Sequence, residues 1–456
     1  RPDVIIGTGR SDFPNQVNNV LCFPFIFRGA LDVGATTINE EMKLACVRAI
    51  ADLAMAESSA EVAGAYGDAE LTFGPEYLIP KPFDPRLIAR IAPAVAKAAM
   101  DSGVATRPIA DLEAYAEKLT EFVYKTSLFM RPVFNQARKD IKRIVLTEGE
   151  DERVLHAAQQ VVSQKLAFPI LVGDAKLIEE RLHSQGLTIQ PGKDFELIDI
   201  KNSPYYEASW KEYYNLRKRS GVTEEMARRR LKANTTLVGA LLVRLGHADG
   251  LVCGTMGRFH DHFAVMEEVI GYNNPEKEAF AMNALISNKG NFFIADTYIN
   301  ENPTAEQLAN GTLMCAAEMK RIGLKPKVAL VSNTNYGSNR NPDANKMQQA
   351  LELIRELDPA LEIDGEMQAD VALDETMRKS IFPETTLSGA ANLLVMPNVE
   401  AANISYNLLR VNATNGITVG PILMGLNKPV QIVTPISTVR RIVNMIALAA
   451  VDAQRQ

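Results

Sequence analysis

The chain reads as an α/β protein built on parallel sheets, and three observations carry that reading. Short apolar strand-like runs alternate with stretches of helical period over most of the sequence. Between Arg143 and Gly173 a strand, a turn, a helix and a second strand follow within roughly thirty residues, the span of a βαβ unit, which makes neighbouring strands parallel and the crossover right-handed. The 456 residues are about three times a typical domain of roughly 150, so two or three packed units are expected.

Taken in order, Val4-Ile5-Ile6 reads as a strand that hands over to the loop Gly7-Thr8-Gly9-Arg10-Ser11, as the last strand of a doubly wound sheet does at its carboxyl end. Leu21 to Leu31 is an apolar run. From Asn39, the positions Met42, Leu44, Ala45, Val47, Ile50, Ala51, Leu53 and Ala54 read as the broad apolar face of a helix. Proline and glycine crowd the stretch from Gly64 to Pro85, which predicts an extended, ordered wrap. Two helices follow, Pro85 to Ser102 and Leu112 to Arg138, and a domain boundary is placed near residue 140.

The next unit opens on the strand Arg143 to Leu146, the turn Thr147-Glu148-Gly149-Glu150, a helix with its stripe on Val154, Leu155, Ala158 and Val161, and the strand Phe168 to Gly173. Strand followed by helix recurs at Gly250 to Gly254, Phe292 to Ile294, Val328 to Val331 and Asn392 to Met396, so residues 141–456 form one large α/β unit with two lobes.

Composition narrows the function. With 46% hydrophobic and 23% charged residues the chain is too apolar for intrinsic disorder. A net charge of −6 argues against general binding to nucleic acid phosphates. No run of about eighteen apolar residues suits a membrane span. Cys22, Cys46, Cys253 and Cys315 are scattered without a CxxC, which points to a reducing, cytoplasmic setting. The chain starts at Arg1 without Met, and the expectation is that further residues precede it.

Four segments can carry chemistry. Arg10 to Asn19 is rich in carboxamides, which recognise a hydroxy- or keto-acid by donating and accepting without added charge; the same residues also serve as caps and turns. Ser332 to Ser338 is a polar loop between a strand and a helix and can cradle a phosphate, or be an ordinary βα turn. His260-Asp261-His262 offers two metal ligands where a site needs at least three, so a surface or supporting role is favoured. Arg228-Arg229-Arg230-Leu231-Lys232 follows a Thr223 cap and reads as a solvated face, or as a cationic patch for a phosphorylated cofactor such as coenzyme A. Thr304 and Gln307 form a structural capping box.

The block Thr8-Gly9-Arg10-Ser11-Asp12-Phe13-Pro14-Asn15-Gln16-Val17-Asn18-Asn19-Val20-Leu21, running into Phe27-Arg28-Gly29-Ala30-Leu31-Asp32, resembles the C-terminal part of the bacterial malic enzyme dinucleotide domain. The resemblance implies the end of a Rossmann-like domain with connector helices over residues 1–140. It also implies that Asn18 and Asn19 contact the malate carboxylate and hydroxyl. Residues 141–456 resemble phosphotransacetylase through Asn302-Pro303-Thr304-Ala305-Glu306-Gln307, Ile363-Asp364-Gly365-Glu366-Met367-Gln368-Ala369-Asp370 and Gly420-Pro421-Ile422-Leu423-Met424-Gly425-Leu426. Together the two likenesses imply a large NADP-dependent malic enzyme. Such an enzyme takes malate to pyruvate and CO2 with Mg2+ or Mn2+, is cytoplasmic and homo-oligomeric, and responds to acetyl-CoA.

Departures from the second likeness bear on activity. Active phosphotransacetylases carry a Ser-Arg-Gly turn and an Asp on the next helix; the corresponding residues here are Thr434-Pro435 and Arg441. A further family Arg aligns with Val411, with Arg410 beside it. Proline has neither charge nor N–H, and arginine cannot accept a proton. The expected site is therefore a degenerate acetyl-CoA or phosphate site made of Thr434, Pro435, Arg441, Arg410, Tyr336 and Ser338. A working phosphate acetyltransferase and a purely architectural domain are the rival readings. The malic family's Lys base, Tyr acid, metal carboxylates and glycine fingerprint lie upstream of the paired Asn. The expectation is that these 456 residues alone do not decarboxylate malate.

Overall fold

A computed structural model describes residues 4–10, 13–56, 73–82, 84, 86–123, 125–199, 202–287, 290–339, 341–412 and 417–455, with side chains 120–129 and those of 287 and 417 left out. The chain divides into two compact units, Arg1–Phe129 and Met130–Gln456.

The first unit is helical among its described residues. Helices Phe23–Asp32, Glu40–Met55, Arg86–Asp101 and Leu112–Val123 share one core. Helix Arg86–Asp101 buries Leu87, Ile91, Val95 and Ala99, a period of four that puts one face inward. Gly29 lets helix Phe23–Asp32 approach it closely, since a Cβ there would lie 2.5 Å from the Ala92 carbonyl oxygen. The strand expected at Val4–Ile6 does not form. These residues are extended but 54%, 51% and 61% exposed, and no described strand lies alongside to take their backbone groups. Much of the expected wrap over 64–85 lies outside the described residues; 73–82 hold a turn closed by Gly74 and Tyr77. Of the helix expected over Leu112–Arg138, the described residues are helical over Leu112–Val123 and Lys125–Ala137; residue 124 lies outside them.

In the second unit the strands are β1 (Arg143–Leu146), β2 (Phe168–Gly173), β3 (Glu196–Asp199), β4 (Gly250–Cys253), β5 (Phe280–Ser287), β6 (Gly290–Ala295), β7 (Lys327–Val331), β8 (Glu362–Met367), β9 (Leu393–Val395), β10 (Ile417–Met424) and β11 (Val430–Ile432). They build two sheets. The first, in the order β11-β4-β1-β2-β3, is parallel throughout, with Val145 of β1 opposite Ile170 and Leu251. The second, in the order β10-β5-β6-β9-β7-β8, is parallel from β6 to β8 and antiparallel where β5 meets β6 and β10. The two-lobed α/β expectation holds, with an antiparallel edge on the second lobe.

The last strand returns to the first sheet, so Thr434 and Ser437, which follow β11, stand beside the ends of β4 and β1. Helix Thr235–Arg244 is buried from Thr236 to Val243, as an all-apolar helix must be. Its Gly239 permits the close packing: a Cβ there would meet Thr147 Cγ2 at 2.5 Å and Leu251 Cδ1 at 2.7 Å. The start of this helix is thereby pressed toward the carboxyl ends of β1 and β4.

Candidate functional site

Ligands of open parallel sheets sit beyond the carboxyl ends of the strands. In the first sheet this edge opens into a cavity of about 330 Å³ lined by Glu148, Glu150, Thr235, Thr236, Met256, Asp261 and His262. The Asn234 side chain caps the helix there by accepting from the Leu237 N–H.

Glu148 is buried, and both its oxygens are engaged. One accepts from the Thr147 hydroxyl at 2.8 Å, the other from the Gly254 N–H at 3.0 Å. Burial raises its pKa above the ordinary carboxylate range, against the opposing pull of these bonds and of His262. His262 lies within 2.8 Å of the Thr236 hydroxyl through Nδ1 and 2.7 Å of the Met256 carbonyl through Nε2. A carbonyl only accepts, so Nε2 carries the proton. His262 is thus buried and orients the cavity wall, whereas His260 is exposed; the two do not form a chelate. Among the described residues no group of three or more His, Cys, Asp or Glu could hold a metal ion.

Beside the cavity lies the turn after β11. The Thr434 N–H donates to Ser437 Oγ at 3.1 Å, which closes the turn. Arg153 clamps it from outside, donating to the Pro435 carbonyl at 2.5 Å, the Ser437 carbonyl at 3.1 Å and, across the strand ends, the Thr255 carbonyl at 3.1 Å. Asp151, 2.6 Å away, holds the guanidinium in place and raises its affinity for the proton. Arg153 escaped the sequence reading, because its partners are about 100 and 280 residues distant.

The two arginines expected at the site both act electrostatically on the Tyr298 phenol. Arg441 donates to the Thr418 hydroxyl, and the Arg410 guanidinium lies 5.8 Å from the Tyr406 ring centre. Burial raises the Tyr298 phenol, Tyr406 adds to the rise, and Arg441 and Arg410 both oppose it. Tyr298 stacks on Phe259 at 4.7 Å, and its backbone is fixed by buried Asp296, which accepts from the Tyr298 N–H at 3.0 Å and the Ile299 N–H at 3.2 Å.

Tyr336 and Ser338 lie elsewhere, on the loop after β7. Tyr336 has φ +47°, stacks on Phe382 at 4.3 Å and donates to Asp364 at 3.4 Å; burial pushes its phenol up to about 12. Fully buried Glu366 organises this loop, accepting from Thr334 Oγ1 at 2.8 Å, the Gly337 N–H at 2.9 Å and Gln348 Nε2 at 2.8 Å. The Tyr336 N–H goes to the Glu366 carbonyl and the Ser338 N–H to the Asn335 carbonyl. These three amides are engaged by the chain's own acceptors, the Gly337 N–H by the buried Glu366 carboxylate and the other two by backbone carbonyls. Among the described residues no hydrogen bond joins Tyr336 or Ser338 to Arg410 or Arg441.

In the first unit Asn18 caps the short 3-10 turn Asn19–Leu21, its Oδ1 accepting from the Val20 N–H at 3.0 Å, and Asn19 is exposed. The buried carboxamide of the block is Asn15, at φ +55°, which donates to the Pro75 carbonyl and accepts from the Leu78 N–H, both at 2.7 Å. Of the basic run, Arg228 stacks 3.7 Å from the Trp210 ring centre, Arg229 pairs with Glu225 and Arg230 with Glu268, as on a solvated, charge-balanced face.

Comparison with known proteins bears on both units. The profile of the family described as phosphate acetyl/butaryl transferase matches residues 128–450. The NADP-dependent malic enzyme of Escherichia coli is 61% identical over 456 residues, covering 100% of this chain and 60% of that protein. The phosphate acetyltransferase of Corynebacterium glutamicum is 32% identical over 331 residues, 72% of this chain and 98% of that protein. The solved EutD phosphotransacetylase from Staphylococcus aureus superposes with a TM-score of 0.63 at 30% identity, covering 71% of this chain and 99% of that one. The chain spans about 60% of the length of the curated malic enzymes it matches.

Proposed function

Since the chain belongs to the phosphate acetyl/butaryl transferase family through residues 128–450, we propose that its Met130–Gln456 unit binds acetyl-CoA without transferring the acetyl group, and that it does so in the service of NADP-dependent malate oxidation. The observation that carries the first half is the turn after β11. Acetyl transfer to phosphate needs a cation at the turn and a base for the coenzyme A thiol. Pro435 supplies neither charge nor N–H, and the next helix presents Arg441, which is cationic. The nearest buried carboxylate of the cavity, Glu148, has both oxygens occupied.

The residues present do fit a bound anionic thioester. Arg441 and Arg410 would supply positive charge near Tyr298, Arg153 holds the turn rigid, and the cavity would take an uncharged portion of the ligand. Tyr336 and Ser338 are proposed to contribute from the neighbouring loop. Copies of the chain assemble in this reading, supported by Ile404, Leu408 and Val411, which are 59%, 61% and 79% exposed along one face of helix Val399–Asn412. A cytoplasmic setting is proposed with it; no described helix is long and apolar enough to cross a membrane.

For the second half, malate would be oxidised and decarboxylated to pyruvate and CO2. NADP and Mg2+ or Mn2+ are the groups that this chemistry would require, as hydride acceptor and Lewis acid. The described residues do not fit that metal, since no donor cluster is present among them. The role proposed for Asn18 and Asn19 is limited to orienting the substrate carboxylate and hydroxyl by neutral hydrogen bonds.

Titration calorimetry with acetyl-CoA tests the first half. Saturable binding is expected, weakened about tenfold by Arg441→Ala and by Arg410→Ala, as for loss of one charge-assisted hydrogen bond. The identity to a phosphate acetyltransferase over nearly its whole length favours one rival, an active transferase. Formation of acetyl-CoA from coenzyme A and acetyl phosphate, abolished by Arg410→Ala, would establish that rival. Absence of binding near millimolar ligand would leave an architectural role. The double change Pro435→Arg with Arg441→Asp is expected not to restore full transfer.

A further inference from the structure

We propose that Cys22 and Cys46 form a thiol-modification site, a pair that a low-molecular-weight disulfide oxidant closes into an intramolecular disulfide that tethers the Asn18–Leu21 turn to helix Glu40–Met55. The two sulfurs lie 3.2 Å apart, although 24 residues separate them in sequence. A covalent S–S bond is about 2.05 Å long, so closing it asks for a movement of roughly 1 Å. The other cysteines, Cys253 and Cys315, are fully buried and have no such neighbour.

The two thiols are differently placed, and that sets the order of events. Cys22 is half-buried at the start of helix Phe23–Asp32, where an oxidant reaches it. Cys46 is fully buried in the helical core; burial, helped by the Cys22 hydrogen bond, pushes its thiol up to about 12. Attack by Cys22 on an external disulfide forms one mixed S–S bond, breaks the oxidant's S–S bond and releases one small thiol. Cys46 then attacks the Cys22 sulfur and expels the second small thiol, each cysteine proton ending on a departing sulfur. The chain loses two electrons and the oxidant gains them.

Cys22 stands where a tether acts on the turn before it. Its N–H donates to the Asn19 carbonyl at 3.1 Å, and the turn begins at Asn18. A bond from Cys22 to the helix therefore restrains both carboxamides, whether or not they meet malate. Disulfides of intracellular proteins are characteristically transient, which fits a switch more than a staple.

The test uses the full chain, reduced and then incubated with oxidised glutathione. Thiol titration is expected to fall from four to two per chain, with a Cys22–Cys46 linked peptide by mass spectrometry. Amide exchange over residues 18–22 is expected to slow at least about tenfold and to recover with reductant. Cys22→Ser and Cys46→Ala should abolish the linked peptide, and Cys253→Ser should keep it; thermal melts confirm that each variant is folded. The proposal is overturned if glutathione stays on Cys22 without ring closure, if Cys22 links two chains, if all four thiols survive, or if amide exchange at 18–22 is unchanged in the linked form.

Discussion

Two carboxylates, Glu148 and Glu366, sit buried at or near strand ends, and each makes a different prediction. Glu366 accepts three hydrogen bonds from Thr334, Gly337 and Gln348, so Glu366→Ala strands three buried donors. A loss of about 3 kcal/mol is expected in denaturant unfolding, with Tyr336 fluorescence changing as its loop loosens. Glu148 has its pKa raised by burial. Its folded pKa lies above the unfolded value, so the stability it lends is full below the unfolded value near 4.5 and is lost as pH rises through the folded one. Glu148→Gln should therefore gain on the wild type as pH rises above about 4.5, the amide donating to Thr147 and accepting from Gly254. A difference in unfolding midpoint that ignores pH would refute this. At this scale Pro435 and Arg441 were legible from a motif, while Arg153, Glu148 and Glu366 were not, because their roles rest on partners remote in sequence.

Helix Thr235–Arg244 is placed by a single small residue. Replacing Gly239 by Ala would improve helix propensity by about 1 kcal/mol. The added methyl, however, would stand 2.5 Å from Thr147 Cγ2 and 2.7 Å from Leu251 Cδ1, and overpacking costs roughly 1–3 kcal/mol. The clash is expected to win by about 1 kcal/mol or more, lowering the melting temperature and weakening acetyl-CoA binding together; a more stable variant with unchanged binding would contradict it. Elements show where sequence patterns mislead. Strand β8 carries buried Asp364 and Glu366, so it lacks an apolar run and is not read as a strand, although it pairs with β7 from Lys327 to Val331. Val4–Ile6 has the apolar run but no described neighbour to pair with, and stays exposed. Strand identity is settled by pairing partners as much as by composition.

A ligand that binds only the folded state stabilises it by mass action. Acetyl-CoA at a hundred times its dissociation constant should add about 2.7 kcal/mol to the unfolding free energy of the Met130–Gln456 unit, seen as a rise in its calorimetric transition, with a smaller rise in Arg441→Ala. No shift in the wild type would remove acetyl-CoA from the proposal. For this chain the sequence by itself determined the α/β class, the family of its larger part and the identity of Pro435 and Arg441 at the proposed site. Those rest on local periodicity and on residue identity. Only the tertiary structure decided that β11 returns to the first sheet beside β4, that Arg153 ties three distant carbonyls, that Arg410 and Arg441 both bear electrostatically on Tyr298, and that Cys22 touches Cys46. Contacts across tens to hundreds of residues leave no periodic trace in the chain, since they arise when separate elements find complementary faces and pack.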